Sequence, residues 1–141
     1  MERGDMMPKT NVVVCVTPQL NCVKQIEFGK YLAQHLGVGI KIVTIQPKLA
    51  DAQKRADDLK ILYKLSKKTS CSIDVLYSQN TSQGLYTYIC KQNPCHIILG
   101  SPDNRAKFYT DFIAFNLPAP ISIVNEKFIY TLPTMSLPLT E

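Results

Sequence analysis

Residues 11–16, NVVVCV, decide the architecture of this chain. Val12, Val13, Val14 and Val16 form a nearly unbroken β-branched run, with Cys15 as a small apolar residue inside it. A strand with one face in water alternates polar and apolar residues; a strand covered on both faces does not. The run therefore reads as the central strand of a parallel sheet, and Pro18 ends it.

Working outward, segments of helical period alternate with further short strands. Between residues 20 and 36, Cys22, Ile26, Gly29, Ala33 and Leu36 recur at steps of 4, 3, 4 and 3 and make one apolar stripe. Asn21 is the expected cap and Gly37 the closing glycine. Gly29, on the stripe, lets the helix backbone approach a sheet closely. Residues 40–45 (IKIVTI) read as a second strand, stopped by Pro47. A second helix is predicted over 51–69, with Ala52, Ala56, Leu59, Leu62 and Tyr63 as its buried face. Asp51 at its start and lysines at its end match the helix dipole.

Residues 72–77 (SIDVLY) read as a third strand, and Asn80, Thr81 and Ser82 supply a turn and cap. A third helix follows over 82–92, with Leu85, Tyr86 and Ile89 facing in. Pro94 separates it from a fourth strand, 95–99 (CHIIL), which closes on Gly100-Ser101-Pro102. A fourth helix is predicted over 105–116, and Pro118 and Pro120 break it before a fifth strand, 121–124 (ISIV). Strict alternation of this kind implies right-handed crossovers, a parallel sheet and helices on both faces. Residues 1–10 are expected to be a flexible N-terminus and 11–125 the domain. Residues 126–141 are read as a C-terminal tail or an edge element through Phe128, Ile129 and Tyr130.

Composition narrows the class. The chain has 141 residues, enough for one domain with a proper core. No stretch approaches the 18 or so uncharged apolar residues of a membrane span, roughly the minimum for crossing a bilayer. Basic residues outnumber acidic ones, 16 to 11, with the excess in the first half. The densest group, Lys60, Lys64, Lys67 and Lys68, ends a predicted helix and reads as a solvated face, so no nucleic-acid partner is expected. The five cysteines form no C-x-x-C and no zinc-ligand spacing, so no metal is expected. The first residues, MERGDMMPKT, lack the apolar core of a secretory signal, and a reduced, cytoplasmic location is expected.

In open α/β sheets ligands bind beyond the carboxyl ends of the strands. Here those ends are 17–21, 46–47, 79–80 and 100–104, rich in hydroxyls and amides, with Asp103 as their only carboxylate. His35 reads as a solvated residue near a helix end, and His96 as a packed strand residue. There is no G-x-S-x-G elbow, no P-loop and no G-x-G-x-x-G. No enzyme is expected.

The order and spacing of the elements resemble the universal stress protein superfamily. NVVVCVTPQLNCVKQIEFGKYLAQHLG resembles its first strand, loop and helix, and CSIDVLYSQNTSQGLYTYICKQNPCHIILGS its third strand, third helix and fourth strand. The version most similar in its first loop is the stress-protein-like domain of bacterial sensor kinases that regulate potassium uptake. The resemblance implies an open five-stranded parallel sheet, order 3-2-1-4-5, with helices on both faces: a Rossmann-like, adenine-nucleotide-hydrolase-like fold. It also implies dimerisation through the last strand, which places Ile121, Ile123, Phe128 and Tyr130 at an expected homodimer interface.

ATP-binding members carry an Asp at the end of strand one and a G-x2-G-x9-G-(S/T) signature after strand four. Here Thr17 stands at the Asp, Gly100 matches the first glycine, Asp103 replaces the second, and Ile113 and Ala114 fall at Gly-Ser/Thr. The cyclic di-AMP strings of the sensor-kinase version read Thr17-Pro18-Gln19 and Lys41-Ile42-Val43-Thr44-Ile45. The adenine-nucleotide hydrolases' phosphate loop, a Ser-Gly-Gly-x-Asp-Ser type string, is absent. The expected function is a non-enzymatic signalling or regulatory module of the stress response, dimeric and open to a protein partner in its pathway. The alternative is a sensor for ATP, another adenine nucleotide or a cyclic dinucleotide, with a non-standard pocket. Thr17, Pro18, Gln19, Gly100, Ser101 and Asn104 would line it and Ile45 would form an apolar wall.

Overall fold

The computed structural model describes residues 10–48, 51–100, 117, 119–124 and 129–132. Its order is β1 (Asn11–Cys15), a single 3-10 turn (Leu20–Cys22), α1 (Val23–Leu36), β2 (Gly39–Pro47), α2 (Ala52–Thr69) and β3 (Ile73–Ser78). Then come α3 (Thr81–Gln92), β4 (His96–Gly100), β5 (Ile121–Val124) and β6 (Ile129–Leu132). The sheet runs β3-β2-β1-β4-β5-β6. Its first five strands are parallel, in the expected order 3-2-1-4-5. The predicted fourth helix lies outside the described residues.

β1 is central, paired with β2 on one side and β4 on the other. Val12, Val13 and Val14 are fully buried, which is why the run shows no alternation. Val12 and Val14 face α1 and α2, with Ile26, Ala33, Leu62 and Leu65. Val13 faces α3, with Leu85, Tyr88 and Ile89. Tyr88 also ties α3 to the β3 edge, donating its hydroxyl to Asp74 Oδ2 at 2.8 Å. Burial, reinforced by that carboxylate, holds its phenol well above the ordinary tyrosine range.

Three of the local signals are realised in detail. Gly37 turns the chain out of α1 at φ 68°, in the left-handed region that glycine tolerates. The Asp51 and Asn80 side chains cap α2 and α3, accepting from the backbone N–H of Lys54 and Gln83. Asn21 does not cap α1: the 3-10 turn intervenes and Cys22 holds the cap position without a side-chain bond.

Two helical stripes are corrected. Leu36 is 50% exposed. At about 100° per residue, fourteen residues carry it roughly 40° behind Cys22 on the wheel, in the last turn of the helix. On α2, Ala52 and Ala56 are exposed, and so are Leu59 and Tyr63. The buried stripe is Leu62, Leu65 and Thr69, in the C-terminal half. Thr69 qualifies because its hydroxyl donates to Leu65 O at 2.8 Å, which removes the penalty for burying it.

Beyond β5 the chain turns back and β6 pairs with it antiparallel, from Ile121↔Leu132 to Val124↔Ile129. β5 therefore has neighbours on both sides, and the outer edge of the sheet here is β6. Ile121 is buried in the α3-side core and Ile123 is half-buried against it. Tyr130 lies on β6 opposite Ile123. Phe128 lies outside the described residues.

Candidate functional site

The sheet order places a topological switch point between β1 and β4. The chain leaves β1 for β2 on one side and leaves β4 for β5 on the other, and in open α/β sheets the adjoining carboxyl ends at such a point are where a ligand crevice is expected. Cys15 ends β1 there and Gly100 ends β4. The loop after β1 is tight. Gln19 N–H donates to Thr17 O at 2.7 Å, and Cys22 N–H donates to Gln19 O at 3.1 Å. The Cys22 thiol donates to Thr17 O at 3.5 Å and lies 3.7 Å from the Thr17 hydroxyl. Thr17 and Pro18 are half-buried and Gln19 is exposed at the rim.

The structure thus brings Thr17, Pro18, Gln19 and Gly100 to the carboxyl ends of β1 and β4. Ile45 stands on the α3 side, packed with Val43 and Leu85 and next to Gly84, on the opposite face of the sheet from α1. Ser101 and Asn104 lie outside the described residues, as do Asp103, Ile113 and Ala114.

The sequence reading missed Gln25, the buried polar side chain that joins the ends of β1 and β4. It is a first-turn residue of α1, only 8% exposed, and its Nε2 donates to Cys15 O at 2.7 Å. Its carboxamide lies flat against Gly100. A Cβ on that glycine would stand 2.4 Å from Gln25 Oε1 and 2.9 Å from Cδ. A side chain at this position would have to displace the end of the Gln25 side chain. A signal for Gln25 was present: it follows Cys22 by three and precedes Gly29 by four, a polar residue beside the buried stripe.

A second polar cluster crosses β4, β5 and β6. His96 Nε2 and Ser122 Oγ share a hydrogen bond at 2.7 Å, and Ser122 Oγ and Thr131 Oγ1 share another at 2.8 Å. Ser122 is 1% exposed, while its partners His96 and Thr131 are half-buried and exposed. Burial pushes the His96 imidazole below its ordinary value of 6.5. The folded chain thus favours neutral His96 more than the unfolded chain does. The stability this contributes is complete above about pH 6.5 and is lost as pH falls from there through the lowered folded value. Melting temperature followed from pH 8 to pH 5 is expected to drop more steeply for the wild type than for His96→Gln. Parallel profiles would remove His96 as the cause.

Among the described residues, no group of three or more His, Cys, Asp or Glu side chains is placed to hold a metal ion. No described helix is long and apolar enough to cross a membrane.

No protein-family model and no curated protein matches the sequence. Solved structures do match. A universal stress protein from Archaeoglobus fulgidus superposes with a TM-score of 0.64 at 15% identity, over 84% of this chain and 96% of that one. This is the universal stress protein fold. The universal stress protein from Archaeoglobus fulgidus in complex with dAMP gives a TM-score of 0.60 at 12% identity, over 84% of this chain and 98% of that one. A universal stress protein family protein from Arabidopsis thaliana with AMP bound gives 0.57 at 13% identity, over 82% and 91%. At these identities the likeness speaks for the universal stress protein fold, and the site has to be argued from its own residues.

Proposed function

We propose that the chain is a non-enzymatic regulatory module that binds an adenine nucleoside monophosphate in the crevice between β1 and β4. The observation that carries this reading is the switch point, where the carboxyl ends of β1 and β4 lie side by side. Backbone and carboxamide stand together there: Gln25 Nε2 donates to Cys15 O, and the Gln25 carboxamide packs against Gly100. Such amide groups offer hydrogen-bonding partners of the kind that orient a nucleoside. Structures with the same fold and AMP or dAMP bound support the choice of ligand class.

The preference for a monophosphate over a triphosphate rests on the chain's own sequence. A triphosphate needs donors along its whole length. Asp103 puts a carboxylate where the ATP-binding signature has a glycine, and Ile113-Ala114 stand where it has Gly-Ser/Thr. Like charges at that end disfavour a polyphosphate.

A thermal-shift panel tests the reading. A ligand at about 100 times its Kd adds about 2.7 kcal/mol, a rise on the order of 10 °C for a domain of this size. AMP is expected to raise the melting temperature, and ATP at the same concentration to raise it less. No response to any adenine nucleotide would overturn the reading. Equal responses to AMP and ATP would overturn the monophosphate preference. Cyclic di-AMP in the same panel tests the finer likeness to the potassium-uptake sensor kinases, where a response to it alone would displace AMP as the ligand.

A further inference from the structure

We propose that a hollow between α2 and the carboxyl ends of β2 and β3 is a second ligand site, in which the Arg55 guanidinium donates to the carboxylate of a small organic acid. The hollow lies beyond β2 from the switch point, and the proposal does not rest on the nucleotide reading. It measures about 230 Å³ out to its open mouth. Drug-sized ligands ordinarily occupy about 300–1,000 Å³, so the ligand that fits here is small.

Arg55 is the reason to look for a ligand. It lines the hollow with Asp58, Leu59, Leu62, Val75 and Tyr77. Its guanidinium carbon stands 4.4 Å from the centre of the Tyr77 ring, a cation–π contact that covers one face of the group. The N–H donors of a guanidinium radiate in its plane, so stacking leaves them still to be satisfied. One Nη donates to Lys48 O at 2.7 Å. Nε is buried and has no hydrogen-bond partner.

Among the described residues no carboxylate pairs with this cation, and the Asp58 carboxylate beside it is taken by Lys54 Nζ at 2.9 Å. Buried donors are rarely left without an acceptor, and charges withdrawn from water are rarely left unpaired. One carbonyl and one ring hold the guanidinium, so a small swing of the side chain brings Nε–H to a ligand oxygen in the hollow. The walls choose the class of anion. Leu62 is buried and Val75 half-buried in the core under α2, and Leu59 is exposed at the rim. Such walls gain from covering carbon and penalise unpaired phosphate oxygens. Asp58 disfavours a dianion more than a monoanion. A branched monocarboxylate meets these demands, with two planar acceptors for the guanidinium edge, a single charge and an apolar body.

Side-chain NMR of the whole chain tests this with isovalerate, its neutral isostere isovaleramide and inorganic phosphate, all at one ionic strength. Isovalerate at millimolar concentration is expected to move the Arg55 Nε–H resonance and the Val75 methyls saturably. Isovaleramide is expected to bind about ten-fold more weakly, the loss of one charge-assisted hydrogen bond, and phosphate to bind more weakly than isovalerate as well. Arg55→Lys keeps the charge but loses the planar edge, and is expected to weaken isovalerate binding about ten-fold, read at the Val75 methyls. An Arg55 resonance that isovalerate leaves unmoved would overturn the proposal, as would an affinity unchanged in Arg55→Lys. An equal response to isovaleramide would overturn the carboxylate, and tighter binding of phosphate would overturn the organic acid. Should Arg55→Lys not fold, the ranking of the three probes on the wild type decides.

Discussion

Gly29→Val is expected to destabilise the chain by about 3 kcal/mol, the upper part of the range for overpacking a filled core. A Cβ on Gly29 would stand 2.5 Å from Val14 Cγ2, 3.1 Å from Ile40 Cδ1 and 3.4 Å from Ile98 Cδ1. Val14 is fully buried at the centre of the sheet, and its branched side chain has little rotamer freedom with which to yield. Replacing a mid-helix glycine ordinarily helps a helix, by up to about 1 kcal/mol for alanine and less for valine. Here the steric term is larger and sets the sign.

Denaturant unfolding with an unchanged slope would report the loss as a shift of midpoint. Gly29→Ala is expected to be milder. Its cost should shrink by about 1 kcal/mol in a Val14→Ala background, because that change deletes the nearest methyl. A neutral or stabilising Gly29→Val would mean that α1 stands further from the sheet than described.

Ile98→Ala is expected to cost about 2–5 kcal/mol, the sum of lost burial and a residual cavity. Ile98 is fully buried and sits between Val14 on β1 and Ser122 on β5. It belongs to the cluster that α1 and α2 close over. Strands flank it on both sides and a helix covers it, so the site has little room to collapse. A domain with about 5–15 kcal/mol of total stability would lose a large part of it. Leu20→Ala is the matched control. Leu20 is 46% exposed, and its truncation is expected to stay within about 0.5 kcal/mol. A loss below about 1 kcal/mol for Ile98→Ala would contradict a filled core at this point.

Much of this fold was legible because its signals are local. The unbroken valines of β1 announce a strand covered twice, and Asp51, Asn80 and Gly37 mark helix ends that the structure realises at those residues. The ends of β1 and β4 were recognisable as the place for a site, which brought Thr17 and Gly100 into view. Gln25 was not recognised. By periodicity it is one polar residue in a helix's first turn. Only the fold gives it the Cys15 carbonyl to bind and the bare Gly100 to lie on.

The α2 stripe went the same way. Alanines at helical spacing are as apolar as leucines in a pattern, but the packing of α2 keeps only Leu62 of the expected face buried and adds Leu65 and Thr69. The four residues of β6 carry too short a pattern to choose a partner. They pair with β5 because the chain returns beside it, where the Thr131 hydroxyl meets Ser122. By itself, then, the sequence determined the five parallel strands, the three described helices, their order and the caps of α2 and α3, since each depends on residues within a turn or two. The tertiary structure decided which polar groups are buried and what they touch, because the partners that stabilise a buried polar group come from distant parts of the chain.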